Sequence, residues 1–257
     1  MSRLGGVTVQ SVTRALDILE CFNGSIEELG ISELSEMMGL SKSTIYGLVN
    51  TLLIKGYLEQ NNNNKRYHLG LKLFELGSIV NKRMDLRTEA KPFCEELSKK
   101  NNATVHLAAR YNNEIVYIDK VDTPTAIIIF SQVGKRAPLY CTGVGKAILA
   151  FLEKEQINEY ISSAKFIKYT ERTITSGEFL LDELNRIEEN GYAIDNEEIV
   201  DGLKCIAAPI FDYTNNPIGA ISVSFPLGQL SEEDIPVVSK DVIDCAQNIS
   251  KRLGYSK

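Results

Sequence analysis

The chain has 257 residues, 44% of them hydrophobic and 24% charged, a balance that excludes a disordered or fibrous protein and leaves room for two cores of unequal size. The formal net charge of −6 excludes a uniformly basic nucleic-acid binder, but residues 1–82 hold eight Lys/Arg and eight Asp/Glu, so the acidic excess lies wholly in residues 83–257. Any contact with phosphates must come from a local patch in the first third of the chain.

From Thr8, the stretch TVQSVTRALDILECF places Val12, Leu16, Leu19 and Phe22 at helical spacing and predicts a first helix buried along that stripe. ISELSEMMG predicts a short second helix, with Ser32 as N-cap and Gly39 as C-cap. A third helix starts after Ser41, its N-cap. Ile45, Leu48, Val49, Leu52 and Leu53 form its buried face, and Ser43, Tyr46, Gly47 and Asn50 occupy the opposite face. YLEQNNNNKRYHL reads as two short strands around an asparagine-rich tip that ends in Lys65 and Arg66, and the asparagine run is the one low-complexity patch. Two helical segments follow as a linker, with Pro92 where a helix starts or kinks.

Beyond Asn101 the period becomes two. TVHLAARY, EIVYIDKV and TAIIIFS read as strands, GKAILAFL, KEQINEYISS and FLLDELNRIEENG as helices, and residues 203–226 as a long hairpin turning at Asn215 and Asn216. A closing helix over 231–252 completes an α+β domain around an antiparallel sheet.

A helix face of Ser43, Tyr46, Gly47 and Asn50 is either a solvated surface or a surface for base edges. Asn bonds adenine bidentately, Tyr and Ser reach edges or phosphates, and Gly lets the backbone come close. Three features favour DNA: the two-helix unit with its tight turn, a helix start at Ser41, Lys42, Ser43 and Thr44 suited to a phosphate, and the Lys65/Arg66 tip.

In the second domain, TGVGK offers backbone N–H groups where a helix begins. It is a carboxylate cradle or simply a start made of small residues, and it is not a P-loop, because Tyr140 and Ala147 stand at two of that motif's essential positions. Ser222 and Ser224 share one strand face, lining a polar pocket or meeting water. Cys205 lies in an apolar run, the usual setting of an inert thiol, and Asp195 reads as a loop or cap residue. The five cysteines, odd in number and without a CxxC pair, fit a reduced compartment and neither disulfides nor zinc. With no leader pattern and no apolar run near about 18 residues, the expectation is a cytoplasmic protein without membrane contact, metal or cofactor.

SVTRALDILECF, ISELSEMMGLSKSTIYGLVNTLLIKGYLE and KRYHLGLKLFELG resemble the winged helix-turn-helix of IclR-type bacterial transcriptional regulators. PLYCTGVGKAILA, GYAIDNEEIVDGLKCIAAPIFD and IGAISVSFP resemble the same family's effector-binding domain. The resemblance implies a DNA-binding domain with the start of a linker over 1–82, and a linker helix with a GAF/PAS-like antiparallel-sheet effector domain over 83–257. It also implies a non-enzymatic repressor of carbon-source catabolism that binds double-stranded operator DNA as a homodimer, frequently a dimer of dimers.

Matched residue by residue, the resemblance implies a small organic acid held by Gly143, Val144, Asp195, Leu203, Cys205, Ser222 and Ser224, with Ile127 and Ile129 as an apolar wall. The chain departs from the family pattern at Tyr140 and Phe225. Because an acidic ligand beside Asp195 is repelled unless a hydroxyl intervenes or one carboxyl is protonated, a hydroxy, keto or sugar acid is expected. The rival readings are an enzyme using Cys205 with His106 as base, for which no orienting third residue is present, and a winged-helix protein-interaction module, against which the basic tip counts.

Overall fold

The computed structural model describes residues 8–22, 26–81, 85–122 and 132–256. The chain divides into two compact units, Met1–Arg83 and Met84–Lys257.

In the first unit, α1 (Gln10–Glu20), α2 (Ile31–Met38) and α3 (Lys42–Ile54) precede the hairpin of β1 (Leu58–Gln60) and β2 (Tyr67–Leu69), and α4 (Leu71–Asn81) follows. Ile18, Leu34, Ile45, Val49 and Leu58 are its buried centre. The predicted stripe of α1 is corrected. Ala15, Ile18, Leu19 and Phe22 turn inward, while Val12 and Leu16 are 56% and 55% exposed. This helix carries two overlapping apolar stripes, and periodicity alone does not say which one the core takes.

The start of α2 is corrected as well. Gly30 is its N-cap, and Glu33 reaches back to accept the Gly30 N–H at 2.7 Å, while Ser32 lies inside the helix. Gly39 ends α2 in the left-handed region at φ 63°, where a side chain is strained, and the chain turns there into α3. Leu29 pairs with Tyr67 through two backbone hydrogen bonds of 2.9 and 2.8 Å, which ties the segment before α2 to the hairpin.

The second unit contains α5 (Asp85–Asn101), β3 (Thr104–Tyr111), β4 (Glu114–Val121), β5 (Arg136–Pro138), α6 (Gly143–Leu149), α7 (Lys154–Ser163), α8 (Gly177–Asn190), β6 (Ala193–Asn196), β7 (Leu203–Phe211), β8 (Pro217–Pro226) and α9 (Ile235–Arg252). Pro92 lies inside α5, so that helix neither starts nor ends there. Among the described residues the strands form one antiparallel sheet in the order β5-β4-β3-β8-β7-β6. Strands β5 and β6 were not expected, and the run TAIIIFS lies outside the described residues.

Alternation along the strands gives the sheet two different faces. Val105, Leu107, Ile206, Ile221, Val223 and Phe225 pack against α5 and α9. On the reverse face Ala108, Ala207 and Ala220 lie under α6 and α8, where small side chains let a helix approach closely. Among the described residues no helix is long and apolar enough to cross a membrane.

Candidate DNA-reading face and ligand cavity

Ser41 caps α3 by accepting the Thr44 N–H at 3.3 Å, and its hydroxyl also meets those of Ser43 and Thr44 at 3.0 and 2.9 Å. Thr44 is half-buried, whereas Lys42, Ser43, Tyr46, Gly47 and Asn50 are exposed on one side of the helix. Tyr46 is 59% exposed. A Cβ built on Gly47 would meet nothing within 4 Å, so packing inside the chain does not demand glycine there.

The asparagine-rich tip is a knitted turn. Glu28 accepts from the side-chain amides of Asn61 and Asn64 at 2.8 and 2.6 Å, and these bonds hold its carboxyl below the usual range. The two basic residues of the tip part company. Lys65 is exposed in the left-handed region at φ 60°. Arg66 turns inward, donating to the Glu33 carboxylate at 2.8 Å and the Glu28 carbonyl at 3.0 Å.

In the second unit a cavity of about 560 Å³ opens on the reverse face of the sheet, beyond the alanines under α6. Strand register builds its wall. Asp195 on β6 pairs with Cys205 on β7, and Cys205 pairs with Ser224 on β8, so three residues distant in sequence stand in one row. Ser222 pairs with His106 on β3, and Ser224 Oγ meets His106 Nδ1 at 3.1 Å. Gly143, Val144 and Leu203 line the same space, so seven of the nine expected residues converge there, while Ile127 and Ile129 lie outside the described residues.

Asp195 stands on a strand, which corrects its expected place in a loop. It is 3% exposed. Burial and then the neighbouring Glu198 push its carboxyl up to about 7, while N–H donors from Glu198 and Gly143 and the charge of Lys146 pull the other way. Burial drives His106 down to about 4, so its ring is neutral, and drives the Cys205 thiol up, the opposite of an activated nucleophile.

Sequence reasoning missed the group behind the wall. Lys146, fully buried in α6, donates to the Ile194 carbonyl at 2.7 Å, to Glu183 at 3.3 Å and to Glu198. The Glu198 N–H donates to Asp195 Oδ1 at 2.8 Å, and Thr173 fixes the Glu198 carbonyl at 2.6 Å. A lone lysine in the apolar run GVGKAILAFL was the available signal, since a buried lysine needs partners. Tyr117 and Tyr169 also line the cavity and were missed. Gly145, one turn into α6, is obligatory: a Cβ there would lie 2.4 Å from the Leu139 carbonyl oxygen.

The two departures from the family pattern fall off the cavity wall. The Tyr140 hydroxyl is held by the Ile167 carbonyl and N–H, both at 2.8 Å, and Phe225 belongs to the core facing α5 and α9.

A winged helix-turn-helix with an uncommitted recognition face, followed in the chain by an antiparallel-sheet unit holding a ligand-sized cavity, defines a DNA-binding transcriptional regulator. Residues 11–62 match the IclR helix-turn-helix domain, and residues 79–251 match the bacterial transcriptional regulator IclR C-terminal domain. The chain belongs to the IclR family of bacterial transcriptional regulators. It is 39% identical to the HTH-type transcriptional regulator KdgR of Escherichia coli over 96% of this chain and 94% of that protein. The Thermotoga maritima IclR structure is similar at 35% identity and a TM-score of 0.78, over 95% of this chain and 99% of that one. An IclR homologue from Microbacterium hydrocarbonoxydans, solved with 4-hydroxybenzoate, is similar at 25% identity and a TM-score of 0.82, over 96% and 100% of the two chains.

Proposed function

We propose that this chain is a cytoplasmic repressor of a carbon-source catabolic operon, released from or tightened on its operator by a small hydroxy, keto or sugar acid. The observation that carries the proposal is the face of α3: Lys42, Ser43, Tyr46, Gly47 and Asn50 are exposed together with no packing role inside the chain. Asn50 and Tyr46 read base edges in the major groove, the α3 start at Ser41 to Thr44 takes a phosphate, and Lys65 tracks the backbone from the hairpin. Arg66 acts through Glu33 and Glu28, holding the hairpin in place for Lys65.

The acid sits in the cavity with its carboxylate toward Val144 and its other oxygens toward Asp195, Ser222, Ser224 and His106, beside Leu203 and Cys205. The bound 4-hydroxybenzoate of the Microbacterium homologue, a hydroxy acid, supports this class. A homodimer, assembled further as a dimer of dimers, presents two α3 helices to one operator. Val12 and Leu16 on α1 and Phe74 on α4, 56%, 55% and 71% exposed, are suited to a second copy. Residues 1–82 then form the DNA-binding part and 83–257 the ligand-binding and assembly part. The ligand acts by preferring one arrangement of the dimer, because operator half-sites have a fixed spacing.

A gel-shift titration on DNA from upstream of the protein's own gene and its neighbours, with and without pooled hydroxy and keto acids, tests this. A specific, salt-sensitive shift that the pool alters is expected. Folded protein that binds none of these fragments at low salt overturns the proposal.

A further inference from the structure

The group behind the cavity wall has more carboxylates than cations. Glu183 is shared with Arg186 at 3.7 Å and is partly solvated. The ammonium of Lys146 is taken up by Glu198, the Ile194 carbonyl and Glu183. Glu198 itself is 6% exposed, and its Oε2 has no hydrogen-bond partner among the described residues. Asp195 receives N–H donors but has no cation of its own, and it is the one carboxyl of this buried group that forms part of the cavity wall.

Among the described residues, Lys146 is the one cation whose charge acts on Asp195. Cys205 from β7, Cys141 ahead of α6 and Tyr117 from β4 are its titratable neighbours, and burial pushes all three up, so each is uncharged at neutral pH. His106 on β3 is neutral there too. Asp201, also on the wall, and Glu198 are acids, while Lys135 and Arg136 at the rim are exposed. An anionic ligand entering beside an ionised Asp195 would bring a third negative charge to a buried site that holds one ammonium.

We propose that Asp195 is the neutral hydrogen-bond donor of the cavity, taking a proton from solvent and donating it in a hydrogen bond to an oxygen of the bound acid. This rests on the reading of the cavity as a small-acid site. The proton stays on Asp195 and no covalent bond of the ligand changes. Ligand uptake is then proton uptake: below neutrality the donor is present beforehand, and above it each pH unit lowers affinity about tenfold.

The test has a part that needs no ligand. In the full-length protein with carboxyl-labelled aspartate, the Asp195 carbon resonance is expected to titrate near neutrality, and that signal disappears in Asp195→Asn. A midpoint below pH 5 overturns the proposal. Calorimetry with D-gluconate, pyruvate and 4-hydroxybenzoate in buffers of different ionisation enthalpy should then show proton uptake approaching one per site at pH 8. Asp195→Asn, whose amide also donates, should bind with a flat pH profile, whereas binding by wild type at pH 8 without proton uptake overturns the proposal. If Asp195 titrates near neutrality but none of the three probes binds, its protonation stands while the small-acid reading, and with it the hydrogen bond to a bound acid, fails.

Discussion

Arg66 meets Glu33 at 2.8 Å with 39% and 45% of the two side chains exposed, while Lys146 meets Glu198 with 1% and 7% exposed. The chemistry is the same and its consequences differ. In the first unit, water solvates both charges whether or not they touch, so the pair shapes the hairpin without holding the unit together. In the second, neither charge has water to fall back on, so the pair, the Ile194 carbonyl and the segment carrying Asp195 stand or fall together. A DNA-reading surface must keep its side chains available, and a ligand cavity must keep them fixed.

Breaking the buried pair should have the largest effect. Lys146→Ala leaves Glu198 buried without its cation, and a loss of about 3–5 kcal/mol is expected in urea unfolding. Lys146→Met, which fills the space, should lose less when Glu198→Gln is added, and equal losses in the single and double variants would show that the pair is not the cause. At the reading face, Asn50→Ala or Tyr46→Ala should leave unfolding unchanged and weaken operator binding by about 1–3 kcal/mol, with relaxed sequence preference in a binding selection. Gly47→Ala separates the two properties further. It should raise stability by about 1 kcal/mol through helix propensity while lowering operator affinity, because the added methyl group holds the backbone off the bases. The smallest effects belong to the hairpin. Lys65→Ala should reduce the slope of log affinity against log salt by about one at unchanged stability. Arg66→Ala should lower the thermal midpoint slightly, and a salt-slope loss matching that of Lys65→Ala would show that Arg66 reaches phosphate after all.

The two regions also differed in how far they could be foreseen. Within α3 both the buried and the open face repeat inside thirteen residues, so spacing alone located Tyr46, Gly47 and Asn50. On α1 the same method placed Leu19 and Phe22 correctly but Val12 and Leu16 wrongly, because those two are as apolar as the residues that the core takes. The cavity wall is assembled by strand register from residues as far apart as His106 and Ser224, and no local pattern encodes register between strands so distant. Family resemblance brought Gly143, Asp195 and Ser222 together before the structure did. It did not reach Lys146 and Glu198, whose partnership spans 52 residues and which lie behind the wall. Asp195 read as a loop residue because four-residue β6 is too short to show alternation.

Strand β8 alternates between Ile221, Val223 and Phe225 on the face toward α5 and α9 and Ser222 and Ser224 on the cavity side. A mutation at either serine changes the lining of the cavity and leaves the opposite hydrophobic layer untouched. Substitutions on the cavity side can therefore accumulate while the layer that seats α5 and α9 stays as it is.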